Sequence, residues 1–328
     1  MKNYILLFAL FPLISFPQTN ISYEDKIRIA EAKRISDMYG EKLWQGWEKT
    51  HFALVLIYDE VEFLINHPNP SDDFSLIGFD TLLNSNIYYR PRQFNKHFLA
   101  TFPAVNGVET IVVGTPANTR KSSIEWIITI LHEHFHQYQY SQPGYYNSIN
   151  SLALSGGDET GMWMLNYPFP YEDSNVNAVY DSCKKILINI FKGIKEPDKT
   201  YIQFYLTKRN ELKESINEND YKYMSFQLWQ EGIARYTEIK LLQIMLDDNF
   251  DFSDEMKKLD DYKSLKEHYD EYYQGEINLL NALSLNENKR NCFYEFGAFE
   301  GLLLDKVNPD WRKEYNTKKF FLEKLFTE

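Results

Sequence analysis

The chain has 328 residues, 44% hydrophobic and 16% aromatic, enough for one substantial core with a small helical subdomain. Its formal net charge of −12 argues against nucleic acid or anionic membrane surfaces as partners. Cys183 and Cys292 are its cysteines, and the absence of any Cys-x-x-Cys excludes a structural zinc ribbon.

In chain order, Lys2 followed by the apolar run Tyr4–Phe16 reads as a signal peptide occupying residues 1–18. The run is too short for a membrane span, and no later run is apolar enough for one. The mature protein is therefore expected to be secreted or periplasmic, with no integral membrane segment. Tyr23 to Trp47 is predicted helical. Phe52 to Ile65, rich in β-branched and aromatic residues, reads as a strand or hairpin. His67-Pro68-Asn69-Pro70 is a loop. Short strands follow near Leu76–Phe79, Ile87–Tyr89, Phe98–Phe102 and Thr110–Val113. Beyond them the pattern is helical: Ser123–Tyr140, Val176–Phe191, Ile202–Ile216, Glu231 to about Asp247, Leu259–Leu280 and Phe293–Lys306. Trp311 to Phe326 packs back. Strands first and helices after indicate an α+β fold, a small mixed sheet followed by a mainly helical C-terminal part. The strand Thr110–Val113 is expected at the sheet edge, where an extended peptide could pair with it.

The helix predicted over Ser123–Tyr140 starts with a capping box, Ser122 and Glu125, and carries Ile124, Ile127, Ile128, Leu131, Phe135 and Tyr138 at helical spacing. Within it stands His132-Glu133-His134-Phe135-His136. Imidazoles four residues apart on a helix lie about 40° apart around its axis, one turn above each other, so both reach one ion. His134 is rotated away and is not expected to share it. Glu133, beside the first ligand, is placed to take a proton from a water on that ion. Two glutamates compete as third ligand: Glu231, in Trp229-Gln230-Glu231-Gly232-Ile233-Ala234-Arg235-Tyr236-Thr237-Glu238, and Glu159, in Gly156-Gly157-Asp158-Glu159-Thr160.

The stretch Glu231-Gly232-x-Ala234-x-Tyr236-x-Glu238 resembles the third-ligand helix of the gluzincin metallopeptidases, nearest to the aminopeptidase N family. The resemblance implies a zincin-like catalytic core, Zn2+ as cofactor, His132, His136 and Glu231 as its ligands, and a peptide or protein as substrate. Gly232 and Ala234 are small where such a helix packs against the His-bearing helix. Glu238, on nearly the same face as Glu231, either supports the ligands or is a solvated charge. Tyr294-Glu295-Phe296-Gly297 is similar to the segment carrying that family's catalytic tyrosine, which makes Tyr294 the oxyanion donor. Glu109, in Asn106-Gly107-Val108-Glu109-Thr110, stands near where those aminopeptidases carry a glutamate for the substrate amino terminus. It either holds an ammonium group or caps a strand edge. The gap from His136 to Glu231 exceeds the family's and implies a helical insertion at about 141–220 within a single catalytic domain over 19–328. Cys183 and Cys292 either pair in an oxidising compartment or remain free buried thiols. Two other functions stay open: a zinc-binding protein without turnover, acting as a binding or chaperone-like factor, and a zinc hydrolase of a non-peptide amide or ester.

Overall fold

The structure, a computed structural model, describes residues 20–326; the predicted signal peptide lies outside the described residues. Ser22 caps the first helix, α1 (Tyr23–Leu43), by accepting from the Asp25 N–H. Six strands follow: β1 (Leu54–Ile57), β2 (Val61–Ile65), β3 (Ser75–Asp80), β4 (Ser85–Pro91), β5 (Leu99–Val105) and β6 (Val108–Gly114). They form one mixed sheet in the order β3-β4-β2-β1-β6-β5. The predicted Phe52–Ile65 segment is the antiparallel β1–β2 hairpin, with Ile57 opposite Glu62. β1 and β6 pair in parallel, Leu54 opposite Ile111, and the other pairs are antiparallel.

Residues alternate between the two faces of β1. Leu54 and Leu56 join the large core shared with the helices, while Val55 and Ile57 join a small cluster with Leu64, Phe74 and Val112 on the other face. The strand expected at the edge, Thr110–Val113, lies instead inside the sheet, between β1 and β5. Val112 and Val113 are fully buried, as the apolar run Ile111-Val112-Val113 requires of an interior strand. The edge on this side is β5.

After the one-turn α2 (Pro116–Thr119) comes α3 (Ser123–Ser141), the predicted His-bearing helix. Its capping box forms, the Glu125 carboxylate accepting from the Ser122 N–H at 2.7 Å. Ile124, Ile127, Ile128, Leu131 and Phe135 are buried, and α3 packs against β5, β6 and α1. The helices α4 (Tyr145–Asn150), α5 (Trp163–Asn166), α6 (Ser174–Phe191), α7 (Lys199–Glu214) and α8 (Glu218–Gln227) fill the gap between the histidines and Glu231. A π turn, Leu228–Gly232, joins α8 to α9 (Ile233–Asp247), so Glu231 does not open a helix but sits in a bulge inside a long helical run. α10 begins at Leu265, later than the predicted Leu259, and ends at Ala282. Asp261 cannot join it, because its carboxylate accepts from the Ser123 N–H and hydroxyl at the head of α3. α11 (Leu285–Asn288) and α12 (Cys292–Val307) complete the helices. The last segment packs back through buried Trp311 and Tyr315.

α9 packs against the His-bearing α3, and Gly232 itself is small where its turn meets the Tyr294-bearing helix. A Cβ on Gly232 would lie 2.5 Å from the Gly297 Cα, and one on Gly297 would lie 2.7 Å from the Leu228 carbonyl oxygen. The two glycines let the Glu231 turn and α12 meet backbone to backbone. Gly297→Ala is expected to destabilise the fold by about 1–3 kcal/mol through overpacking. Gly275→Ala, in α10 with nothing near its Cβ position, is the control and is expected to be neutral or mildly stabilising. Equal urea midpoints for the two variants would refute the close packing.

Candidate metal centre

α3 presents His132 and His136 one turn apart, and the π turn brings Glu231 opposite them. The two Nε2 atoms are 3.1 Å apart. Glu231 Oε2 lies 3.8 Å from His132 Nε2 and 3.3 Å from His136 Nε2. The edge of a tetrahedron of ligands about 2.05 Å from zinc is about 3.3 Å, so the spacing fits a small cation. Among the described residues, His132, His136 and Glu231 form a group able to hold a metal ion. Glu159 is exposed in the α4–α5 loop and is not part of it.

The far nitrogens of both rings are already committed. His132 Nδ1 donates to Glu238 Oε1 at 2.5 Å. His136 Nδ1 lies 2.7 Å from Gln139 Oε1. The orientation of Gln139 is set by its amide nitrogen, which donates to the carbonyls of Trp229 and Gln230. Carbonyls only accept, so Gln139 Oε1 must face His136, and His136 Nδ1 must carry a proton. The Gln230 amide also lies 3.1 Å from this nitrogen; a half-turn of its terminal group offers oxygen to the same N–H and NH2 to the Tyr145 hydroxyl. With both Nδ1 atoms protonated, neutral rings aim two lone pairs and a carboxylate oxygen at one point. Only a cation or an added proton resolves that arrangement.

No protein-family model matches the chain, and no curated protein or solved structure matches it.

The electrostatics favour positive charge at this point. Burial opposes a charged His132, but Glu238 and Glu231 outweigh it and push the ring up to about 10. Burial also opposes ionised Glu231 and Glu238. The two imidazoles hold Glu231 well below the carboxylate range, and Arg235 with His132 holds Glu238 at about 2. Glu238 is therefore no solvated charge: it is buried, ionised and bonded to Arg235 at 3.0 Å and to the Tyr272 hydroxyl. Metal must displace the His132 proton, which Glu238 and Glu231 hold on the ring through the neutral range. Affinity is thus expected to rise across the neutral range, about tenfold per pH unit, with about one proton released on binding. Calorimetry in two buffers of different ionisation enthalpy reads that proton, and zero release would contradict the charged ring.

Glu133, next to His132, is buried, with Oε2 2.9 Å from the Thr101 hydroxyl on edge strand β5. The same hydroxyl lies 2.9 Å from the Glu133 carbonyl. Tyr294, on the first turn of α12, stacks on the His132 ring, centroids 6.3 Å apart and planes 6° apart. Its hydroxyl accepts from Arg290 Nη1 at 2.9 Å. Burial and the Glu231 carboxylate, against Arg290, hold the phenol well above its ordinary value, so it keeps its proton. Glu109, on β6, has one oxygen bonded to the Tyr146 hydroxyl and the other buried without a partner. Burial pushes its carboxyl up to about 7. His134 points away, between Trp47 and Phe52, as its rotation around α3 requires.

Thr101, Gln139 and Arg290 escaped the sequence reading. Gln139 was within reach, three residues after His136 on one helix face, and Arg290 stands four before Tyr294. Thr101 carries no such signal, because only the sheet brings it to Glu133. Cys183 and Cys292 are both free and buried, so the bridge between them is not formed. Burial pushes each thiol up to about 12, which leaves them unreactive. Among the described residues no helix is long and apolar enough to cross a membrane.

Proposed function

We propose that the chain is a zinc-dependent peptidase with a gluzincin-type, zincin-like core, acting outside the cytoplasm after loss of its leader. One observation carries this reading: two imidazole Nε2 atoms and the Glu231 carboxylate converge on one point, with both Nδ1 protons fixed from behind. Two histidines and one carboxylate suit zinc and leave a fourth position open. A zinc ion held there supplies Lewis-acid activation of a water and of the scissile carbonyl. Glu133 removes the water's proton and later delivers it to the leaving amine. Thr101 fixes the Glu133 carboxylate for both transfers. Tyr294 donates its hydroxyl proton in a hydrogen bond to the carbonyl oxygen as negative charge builds there. Glu238 and Gln139 orient the two imidazoles and hold their Nδ1 protons. Edge strand β5, beside Glu133, is placed to pair with an extended chain, the use expected of Thr110–Val113, with the Tyr140 hydroxyl now on the Thr101 carbonyl.

The test is metal content of the mature protein with Glu231→Ala and Glu159→Ala beside it. About one zinc per chain is expected in the wild type and in Glu159→Ala, with loss in Glu231→Ala. No zinc after reconstitution would end the reading. Zinc without cleavage of any peptide in a mixed library would favour a non-peptide amide or ester as substrate.

A further inference from the structure

Every arginine that is not exposed meets a carboxylate, with one exception. Arg28, Arg34, Arg90, Arg209, Arg235 and Arg312 each lie within 3.0 Å of an Asp or Glu oxygen. Arg92 and Arg120 are exposed. Arg290 is half-buried and forms no ion pair among the described residues. The chain carries 47 acidic residues against 35 basic ones, so carboxylates are not scarce. A half-buried guanidinium that gives up part of its hydration with no anion beside it is poised to take one, and it sits here beside the metal centre.

Its position is specific. Arg290 lies in the turn before α12, four residues ahead of Tyr294. Nη1 donates to the Tyr294 hydroxyl at 2.9 Å, and the guanidinium carbon stands 5.7 Å from that ring's centroid. Its remaining N–H groups bond nothing among the described residues and are not sealed from solvent. Glu231 is the carboxylate whose charge reaches it, and that group faces the two imidazoles. Tyr294 in turn stacks on His132. The guanidinium is therefore one hydrogen bond away from the tyrosine that stacks on a histidine of the metal centre.

We propose that Arg290 binds an anionic group of the substrate next to the scissile bond, a carboxylate, and that this selects the substrate class. This rests on the peptidase reading above. The planar fork takes a carboxylate through two parallel N–H bonds, which lysine cannot reproduce. The carboxylate is either the C-terminus of the peptide or the side chain of an aspartate or glutamate.

The experiment takes a peptide cleaved in library profiling and compares matched forms. One pair ends in a free carboxylate or a carboxamide. A second, amidated pair carries Glu or Gln beside the cleaved bond. The wild type is expected to prefer one acidic form by about 10- to 100-fold in kcat/KM, mostly through KM. Which pair shows it names the source of the carboxylate. Arg290 also touches Tyr294, so Arg290→Gln is read by the ratio within a pair and not by absolute rate. That ratio is expected to fall to about 1, with Arg290→Lys in between. A wild type indifferent to both charges, or a preference that survives Arg290→Gln, overturns the proposal. Binding of library peptides in matched acidic and neutral forms to zinc-loaded Glu133→Gln, with and without Arg290→Gln, needs no turnover and no prior cleavage. If no peptide is cleaved yet Arg290 governs which one binds, the peptidase reading fails and the anion site stands. Equal binding of acidic and neutral forms overturns the anion site.

Discussion

Glu133→Gln is expected to remove turnover while leaving metal and fold in place. Glutamine has the size of glutamate, and its amide oxygen still accepts from the Thr101 hydroxyl now 2.9 Å from Glu133 Oε2. The imidazoles keep their own partners, Glu238 and Gln139, so the metal ligands do not depend on Glu133. What is lost is a group able to take up a proton and return it. General-base and general-acid contributions of this kind are worth about 10²- to 10⁴-fold in rate. The expected result is a fall of that size in kcat, with unchanged zinc per chain and an unchanged urea midpoint. The comparison also separates catalysis from the binding or chaperone-like alternative, in which Glu133→Gln leaves function intact. A variant with near-wild-type turnover would move the proton-handling group elsewhere.

The parts of the site written into one local stretch were legible. His132, Glu133 and His136 share one helix, and helical geometry alone fixes their relation. Its start was equally readable, because Ser122 and Glu125 cap it from within the sequence. Glu231 needed a family resemblance to stand out from Glu159, and the structure places Glu231 with the histidines and leaves Glu159 exposed in a loop. The π turn that presents it could not be read. Such a bulge arises where the chain meets α12, at the contact of Gly232 with Gly297, and that contact spans two distant segments.

The misread elements share this cause. Thr110–Val113 has the composition of a strand, but its place in the sheet depends on which strands flank it. β1 pairs with it in parallel from more than fifty residues earlier. Leu259 to Ser264 has helical spacing, yet Asp261 is held by the head of α3 and Ser264 caps the helix after it. The support behind the histidines is likewise tertiary. Gln139 is locked by carbonyls of the Glu231 turn and by Tyr315, whose hydroxyl lies 2.7 Å from the Gln139 amide. The C-terminal segment thus sets the proton on His136, a coupling no local pattern announces.

Tyr294→Phe is expected to lower kcat by about 10²- to 10³-fold, with little change in KM or zinc content. Phenylalanine keeps the ring that stacks on His132, so the metal ligands stay packed. It also keeps the glycine contact three residues on, where Gly297 meets the Glu231 turn. Only the hydroxyl goes, and with it a donor. The Arg290 bond occupies an acceptor site on that hydroxyl, so its proton stays available for donation: it faces Glu231 in the free protein and turns to a developing oxyanion when substrate is bound. Burial and Glu231 keep the phenol protonated well above neutral pH, so the donor is present across the working range. The loss is felt where charge has built up, in the transition state, more than in the bound substrate. This gives a fall in kcat, whereas the Arg290 variants change the ratio between acidic and neutral substrates. A fall confined to KM would make Tyr294 a wall of the cleft, and unchanged kinetics would leave the metal centre as the sole stabiliser of the oxyanion.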